Sequence, residues 1–401
     1  MFLPQFPRQL QPITSWQLFQ NKNQTEVAGI EKEMAGVNLG GSANGQTSSA
    51  SIEGKGPSPL KPPFLNPLES SKPPPSPELT EEQQKKYDAL LETVKSWTEI
   101  PAKDSKGGPI TDSEKLWLTR ECLCRYLRAT KWSATEAPKR LLGTLTWRRE
   151  YGVSNLTGDD LSIENETGKQ FIFGYDNEGR PCHYLNPGRQ NTEPNPKQVQ
   201  HLVFMLERCI DLMIPGQFTL ALLINFKSSK SRSNTAPGIG QAREVLNILQ
   251  THYPERLGRA LIINIPWMVN GFFKLITPFI DPLTKEKLKF NDDMKQYVPP
   301  QQLWAEFDGE FAFEYDHATY WPELIKQCEG RQQSAFERWV QAGKHIGESE
   351  VYLKGGNVPS ISGGATEEMP SNGHAVEPKT LGTLSEISGD INGKSEKNDE
   401  A

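Results

Sequence analysis

Cysteine is scarce here: Cys122, Cys124, Cys182, Cys209 and Cys328 are the five in 401 residues. Their number is odd and each sits in an apolar pattern. The spacing therefore predicts reduced core thiols in a cytosolic protein rather than a disulfide framework. Cys122 and Cys124 stand two apart on an expected helix and face different ways, which argues against a metal pair. A basic excess is missing too. The formal charge is -6 and the pI about 5.7, which excludes a general nucleic-acid binder. Mean hydropathy is -0.60, and no window offers the roughly 20 uninterrupted apolar residues of a membrane span. The oiliest stretch, Ala260 to Leu283, is broken by Pro266, Pro278 and Pro282 and carries Asn264, Asn270, Lys274 and Asp281. It parses as strand, turn and helix. The proline-interrupted N-terminus does not make a signal peptide.

Catalytic signatures are also lacking. There is no G-x-S-x-G elbow and no H-E-x-x-H pair. GDINGKS, Gly389 to Ser395, is one residue short of a phosphate-binding loop and has no strand before it. GIGQAR, Gly238 to Arg243, opens a helix but lacks the third glycine of the dinucleotide fingerprint. The six histidines are scattered, and no Asp, Glu or His cluster has metal-ligand spacing. The sequence implies no catalytic residue, no metal and no cofactor.

What is present falls into five segments. Residues 1–78 are rich in Gly, Ser, Pro, Gln and Asn and are expected to be a disordered arm. Residues 79–160 read as a helical unit. Thr80 and Thr111 or Ser113 open the first two helices, and a third runs from Ser133 to near Gly152. Residues 161–325 change period. A hairpin (Gln170–Phe173, DNEG, Pro181–Leu185) is followed by helix, strand Thr219–Phe226, helix to Tyr253, and strand RALIINI. Apolar strands joined by helices make βαβ units with a parallel sheet. KEKLKF is expected to be a short edge strand. Residues 326–346 continue a closing helix, and 347–401 are expected to be a disordered tail. The fold class is thus α/β: a helical N-terminal part, then a mixed, largely parallel sheet.

The segment from 168 to 290 holds more apolar side chains than a small sheet needs. Either they fill a core, or a sheet floor and a helix enclose a cavity for a lipid. WMVNGFFKLIT favours the second. Trp267, Phe272 and Phe273 surround Lys274, and prolines bracket the helix, so it could swing about its ends.

Four stretches, CLCRYLRATKWSATEAPKRLLGTLTWRREYG, GRPCHYLNPGRQNT, HYPERLGRALIINIPW and PFIDPLTKEKLKF, resemble the CRAL-TRIO lipid-binding family over roughly Glu82 to Gln341. Within it, the chain is most similar to fungal phosphatidylinositol transfer proteins, especially the yeast subgroup linked to azole tolerance and sterol binding. The resemblance implies a pocket floored by the sheet and closed by a gating helix. Leu220, Leu222, Trp267, Met268, Phe272, Phe273, Ile276 and Phe279 would line the pocket and gate. It also implies exchange of phosphatidylinositol for a second lipid at a transiently touched membrane surface, by a monomer that is peripheral to membranes and not an enzyme. Lys131 and Lys274 would meet the phosphate, and Glu244 would accept hydrogen bonds from inositol hydroxyls. On the residues alone, Lys131 also reads as a solvated helix-end cation and Glu244 as a first-turn dipole partner. Thr130 stands where the family's founding member has arginine. Leu220 and Leu222 replace small hydroxyl residues that help hold a phosphatidylcholine headgroup, so the wall suits a sterol better. His183 and Tyr184 are the candidates to face the sterol hydroxyl. Lys285, Lys287 and Lys289 would add attraction to anionic lipid if they face it. The alternative is a lipid sensor or scaffold without net transfer.

Overall fold

The computed structural model describes residues 66–227, 239–266 and 282–360. Local capping sets its helical part. Helix α1 (Glu81–Lys95) opens on a reciprocal box: Gln83 N donates to Thr80 Oγ1 at 3.2 Å, and Thr80 N to Gln83 Oε1 at 3.1 Å. A short ladder, β1 (Glu99–Ile100) with β2 (Gly108–Pro109), leads to α2 (Asp112–Trp117), which repeats the box with Thr111 and Glu114. The expected single helix to Thr130 is in fact two. Leu118 leaves helical geometry with ψ 59°, and Thr119 caps α3 (Arg120–Ala129) by accepting from Cys122 N at 3.0 Å. Helix α4 (Glu136–Tyr151) stops at Gly152, φ 78°, as the sequence predicts. A short α5 (Gly158–Asn165) follows.

The sheet is built from β3 (Gln170–Tyr175), β4 (Pro181–Leu185), β5 (Leu220–Asn225), β6 (Leu257–Ile263) and β7 (Leu288–Phe290), adjacent in that order. The β3–β4 hairpin is antiparallel and the remaining pairs are parallel. Helix α6 (Pro196–Asp211) joins β4 to β5, α7 (Ile239–His252) lies between β5 and β6, and α8 (Pro282–Lys287) precedes β7. The KEK of the expected edge strand therefore belongs to α8, and the strand begins at Leu288. Helix α9 (His317–Gln341) and a single turn, α10 (Glu350–Leu353), close the chain.

One core surrounds the sheet, with Phe171, Tyr184, Leu223, Leu261, Trp304 and Tyr320 at its centre. A second holds the helical part together through Tyr87, Leu90, Leu123, Tyr126, Leu127 and Leu141. Polar side chains stitch the two. Arg148 of α4 makes a bidentate pair with Glu207 of α6 at 2.8 and 3.0 Å, and Tyr253 Oη donates to Glu207 at 2.6 Å. Burial alone would raise the Glu207 carboxyl, but Arg148 outweighs it and holds the group down at about 2. All five thiols are buried, and burial pushes Cys124 up to about 11.

The described chain extends beyond both expected boundaries. Before residue 79, Asn66 O accepts from Gln302 Nε2 at 2.9 Å, and Ser71 is buried. After 346, Gly347 N donates to Leu118 O at 2.8 Å, Glu350 N to Glu121 Oε2 at 2.6 Å, and Lys354 Nζ to Ile210 O at 2.6 Å. Main-chain hydrogen bonds hold these residues, and composition carries no signal for such bonds.

Candidate functional site

Strand register divides the sheet into two faces, because successive side chains alternate. His183 stands beside Leu222, Leu222 beside Ala260, and Ala260 beside Leu288. Two residues along, Leu185, Ile224, Ile262 and Phe290 make a second row on the same face. Phe226, Ala260 and Ile262 form a buried apolar cluster there, with Leu222, Ile224, Ile265 and Leu288 partly buried against it. Leu220 is buried and lies opposite Leu257.

Tyr184 belongs to the other face. Its ring stacks on Phe171 at 4.8 Å, its edge meets Phe307, and its oxygen accepts from Trp304 N at 3.3 Å. His183 and Tyr184, expected to face one hydroxyl together, are therefore separated: neighbours in a strand point to opposite sides. His183 Nε2 donates to Gln170 Oε1 at 3.0 Å, and Gln170 Nε2 donates to His201 Nδ1 at 3.3 Å. Burial pushes His183 down to about 3 and His201 well below the ordinary imidazole value, so both are neutral at pH 7.

The second region lies where α3 and α4 meet α7. Lys131 follows α3 in a tight turn, with Lys131 and Trp132 both left-handed at φ 52° and 60°. Trp132 N closes the turn on Leu127 O at 2.6 Å. The Lys131 side chain is exposed and makes no hydrogen bond or ion pair among the described residues. Arg140 ties this corner to the end of α7. It donates to Ala129 O at 3.2 Å and Thr251 O at 3.3 Å, and also to Gln250 O. Glu244 is exposed and lies in the second turn of α7, where the field of a helix end has already faded. That placement weakens the dipole reading of Glu244. No ion pair joins Lys131 and Glu244 among the described residues.

Helices α4 and α7 pack through a stripe spaced at i, i+3, i+7. Thr144 Oγ1 lies 3.1 Å from His252 Nδ1, Trp147 stacks on His252 at 4.1 Å, and Tyr151 stacks on Trp147 at 4.9 Å. Burial, with Arg140 and Arg148 adding to it, pulls His252 down to about 4. Sequence reasoning passed over Tyr151 and Gln170. For Tyr151 the helical stripe was the available signal; for Gln170 there was none.

Of the three lysines near β7, Lys285 is exposed, while Lys287 and Lys289 line one open depression of about 290 Å³ with Arg259, Glu286 and Tyr297, and Lys287 Nζ donates to Leu257 O at 2.8 Å. Arg259 is engaged there by Glu178 and stacks over Tyr297 at 5.0 Å. The expected gate residues Trp267, Met268, Phe272, Phe273, Ile276 and Phe279, with Lys274, lie outside the described residues. Among the described residues no group of His, Cys, Asp and Glu could hold a metal ion, and no helix is long and apolar enough to cross a membrane.

Comparisons with known proteins agree on one family. The CRAL/TRIO domain pattern matches residues 165–309, and the CRAL/TRIO N-terminal domain pattern matches residues 86–143. A CRAL-TRIO domain-containing protein of Schizosaccharomyces pombe is 57% identical over 280 residues, 69% of this chain; the match spans 28% of that longer protein. The phosphatidylinositol transfer protein PDR17 of Saccharomyces cerevisiae is 43% identical over 257 residues, 62% of this chain and 73% of its own length. The SEC14 cytosolic factor of Kluyveromyces lactis is 26% identical over 211 residues, covering 47% of this chain and 70% of that one. The crystal structure of Sfh5 overlaps at TM-score 0.40 and 15% identity, over 55% of this chain and 84% of that one, too loosely to bear on function.

Proposed function

The chain belongs to the CRAL/TRIO family, and from that premise we propose that it binds phosphatidylinositol and carries it between membranes. A sterol or other largely apolar lipid is its exchange partner, so that the protein regulates phosphoinositide supply. The observation that carries this reading is the apolar sheet face of Leu222, Ile224, Ala260 and Ile262, considered with a 43% identical relative named for phosphatidylinositol transfer. A diacyl lipid exposes roughly 30 methylenes, at about 0.8 kcal/mol each, when it crosses water unaided. A protein wall that is equally apolar removes most of that barrier, and no covalent step is needed. In this reading Lys131 and Lys274 pair with the lipid phosphate, and Glu244 accepts from inositol hydroxyls. The aromatic and aliphatic residues of 267–280 lie against the bilayer during exchange. Leu222 in the wall disfavours a choline headgroup, which would face apolar surface there. His183, on the face of Leu222, is the side chain left to meet a sterol hydroxyl. Mass spectrometry of lipid extracted from the natively purified protein tests the reading, and recovery of neither phosphatidylinositol nor a sterol would overturn it. A vesicle-to-vesicle assay then separates transfer from sensing, because a sensor binds without moving labelled lipid.

A further inference from the structure

Arg125 sits in the middle of a contact that α3 makes with two distant parts of the chain. Glu121, Arg125 and Arg128 stand at i, i+4 and i+7, so they share one face of the helix. At one end of that face Glu121 Oε2 accepts from Glu350 N of α10 at 2.6 Å. At the other, Arg128 Nε donates to Glu255 at 2.6 Å. Arg256, next to Glu255, comes within 3.6 Å of Glu350 and joins the two ends. Arg125 therefore lies over the Arg256–Glu350 pair.

The charges gathered there do not balance. Glu350 is shared by Arg256 at 3.6 Å and Lys354 at 3.9 Å, both longer than a tight ion pair. Arg256 donates to Phe218 O at 2.9 Å, and Lys354 to Ile210 O and Met213 O at 2.6 and 3.4 Å. The neighbouring carboxylates are taken: Glu121 faces Arg120, Glu207 faces Arg148, and Asp211 faces Arg208. Arg125 is left over. It is 3% exposed, and it makes no hydrogen bond or ion pair among the described residues. Its Nε is shut off from solvent, whereas neither terminal nitrogen is, so an ion can approach from that side. A guanidinium keeps its charge at any working pH, and a buried cation without a partner is strongly destabilising. A water would satisfy the nitrogens but leave the charge.

We infer that this corner between α3, the start of β6 and α10 is a binding site for a small inorganic anion of chloride size, held against the Arg125 guanidinium. The main chain around it supplies few spare donors, because Arg120 N is bonded to Glu348 O, Leu123 N to Thr119 O and Glu350 N to Glu121. That suits a monatomic ion better than a phosphate, whose several oxygens each need donors. The bound ion would tie the closing segment to the helical part, whichever lipid the chain carries.

The test uses the full chain, melted in sodium chloride and in sodium gluconate at equal ionic strength. The melting temperature should rise saturably with chloride and not with gluconate, by roughly 4–8 °C once chloride reaches about 30 times its dissociation constant. Arg125→Met removes the charge and keeps a long apolar side chain, and it should lose that response. Equal melting in the two salts overturns the inference, and so does a variant that keeps the chloride response. A larger saturable rise with phosphate than with chloride overturns it as well, because it would mark an oxyanion site. Should the variant fail to fold, wild-type crystals grown in sodium bromide give an independent readout. An anomalous peak beside the Arg125 guanidinium is expected, and its absence overturns the inference.

Discussion

A lysine ammonium is a compact point charge with three donors, and it suits a phosphate whose orientation changes as a lipid enters. Lys131 is free to serve in that way, because its exposed side chain makes no hydrogen bond or ion pair among the described residues. Lys131→Ala should therefore lower phosphatidylinositol transfer at least about tenfold with no change in melting temperature, since charge-assisted bonds to a phosphate are worth roughly 1.5–3 kcal/mol. Lys274→Ala should abolish that transfer while sterol binding persists. If both ligands are lost from a variant that melts normally, the two do not occupy separable sites. Much of this scale was legible in the sequence. Thr80, Thr111 and Gly152 act on the residues next to them, so their capping roles were readable from spacing. The meeting of Trp147 with His252 was not, because it depends on two helices that are far apart in the chain. The period-2 rule that separates His183 from Tyr184 was also present in the sequence, but their adjacency suggested a pair.

Helix α4 is cross-linked to several other described elements. Arg148 and Glu207 are largely buried, with side-chain exposures of 19% and 18%, and Tyr253 completes the arrangement. Removing one partner leaves the other charge stranded. Arg148→Ala should destabilise the fold by about 3–5 kcal/mol in urea unfolding, and Arg148→Ala combined with Glu207→Leu should recover part of that loss. If the single variant costs less than about 1 kcal/mol, the pair does not stitch the two cores. The C-terminal segment was unreadable in advance for a different reason. Residues 347–360 have the composition of a tail, and what holds them is a set of main-chain groups reached by Arg338, Lys354 and Glu121. A chain ending at residue 346 should melt several degrees lower, because Leu118 O loses the Gly347 N–H and Arg120 N loses Glu348 O.

For the whole molecule, several buried imidazoles set the response to acid. His183 is held at about 3, His252 at about 4, and His201 well below the ordinary value. Each folded-state value is lower than in the unfolded chain, so the unfolded chain binds protons first. The stability these residues contribute is complete above about pH 6.5 and is lost as pH falls toward those lower values. Glu207, at about 2, adds a loss that begins only below about pH 4.5. Unfolding free energy should thus drop by about 2 kcal/mol for each of the buried His183 and His201 between pH 6.5 and 5, and by less for the half-buried His252. A flat profile over that range would mean that the folded protein already holds those protons. The five interior thiols give this molecule a built-in clock. A sulfhydryl reagent can reach Cys122, Cys124, Cys182, Cys209 or Cys328 only when the chain around it opens. Labelling rates, compared between the pair in α3 and the three around the sheet, would report whether the helical part and the sheet part come apart together or one after the other.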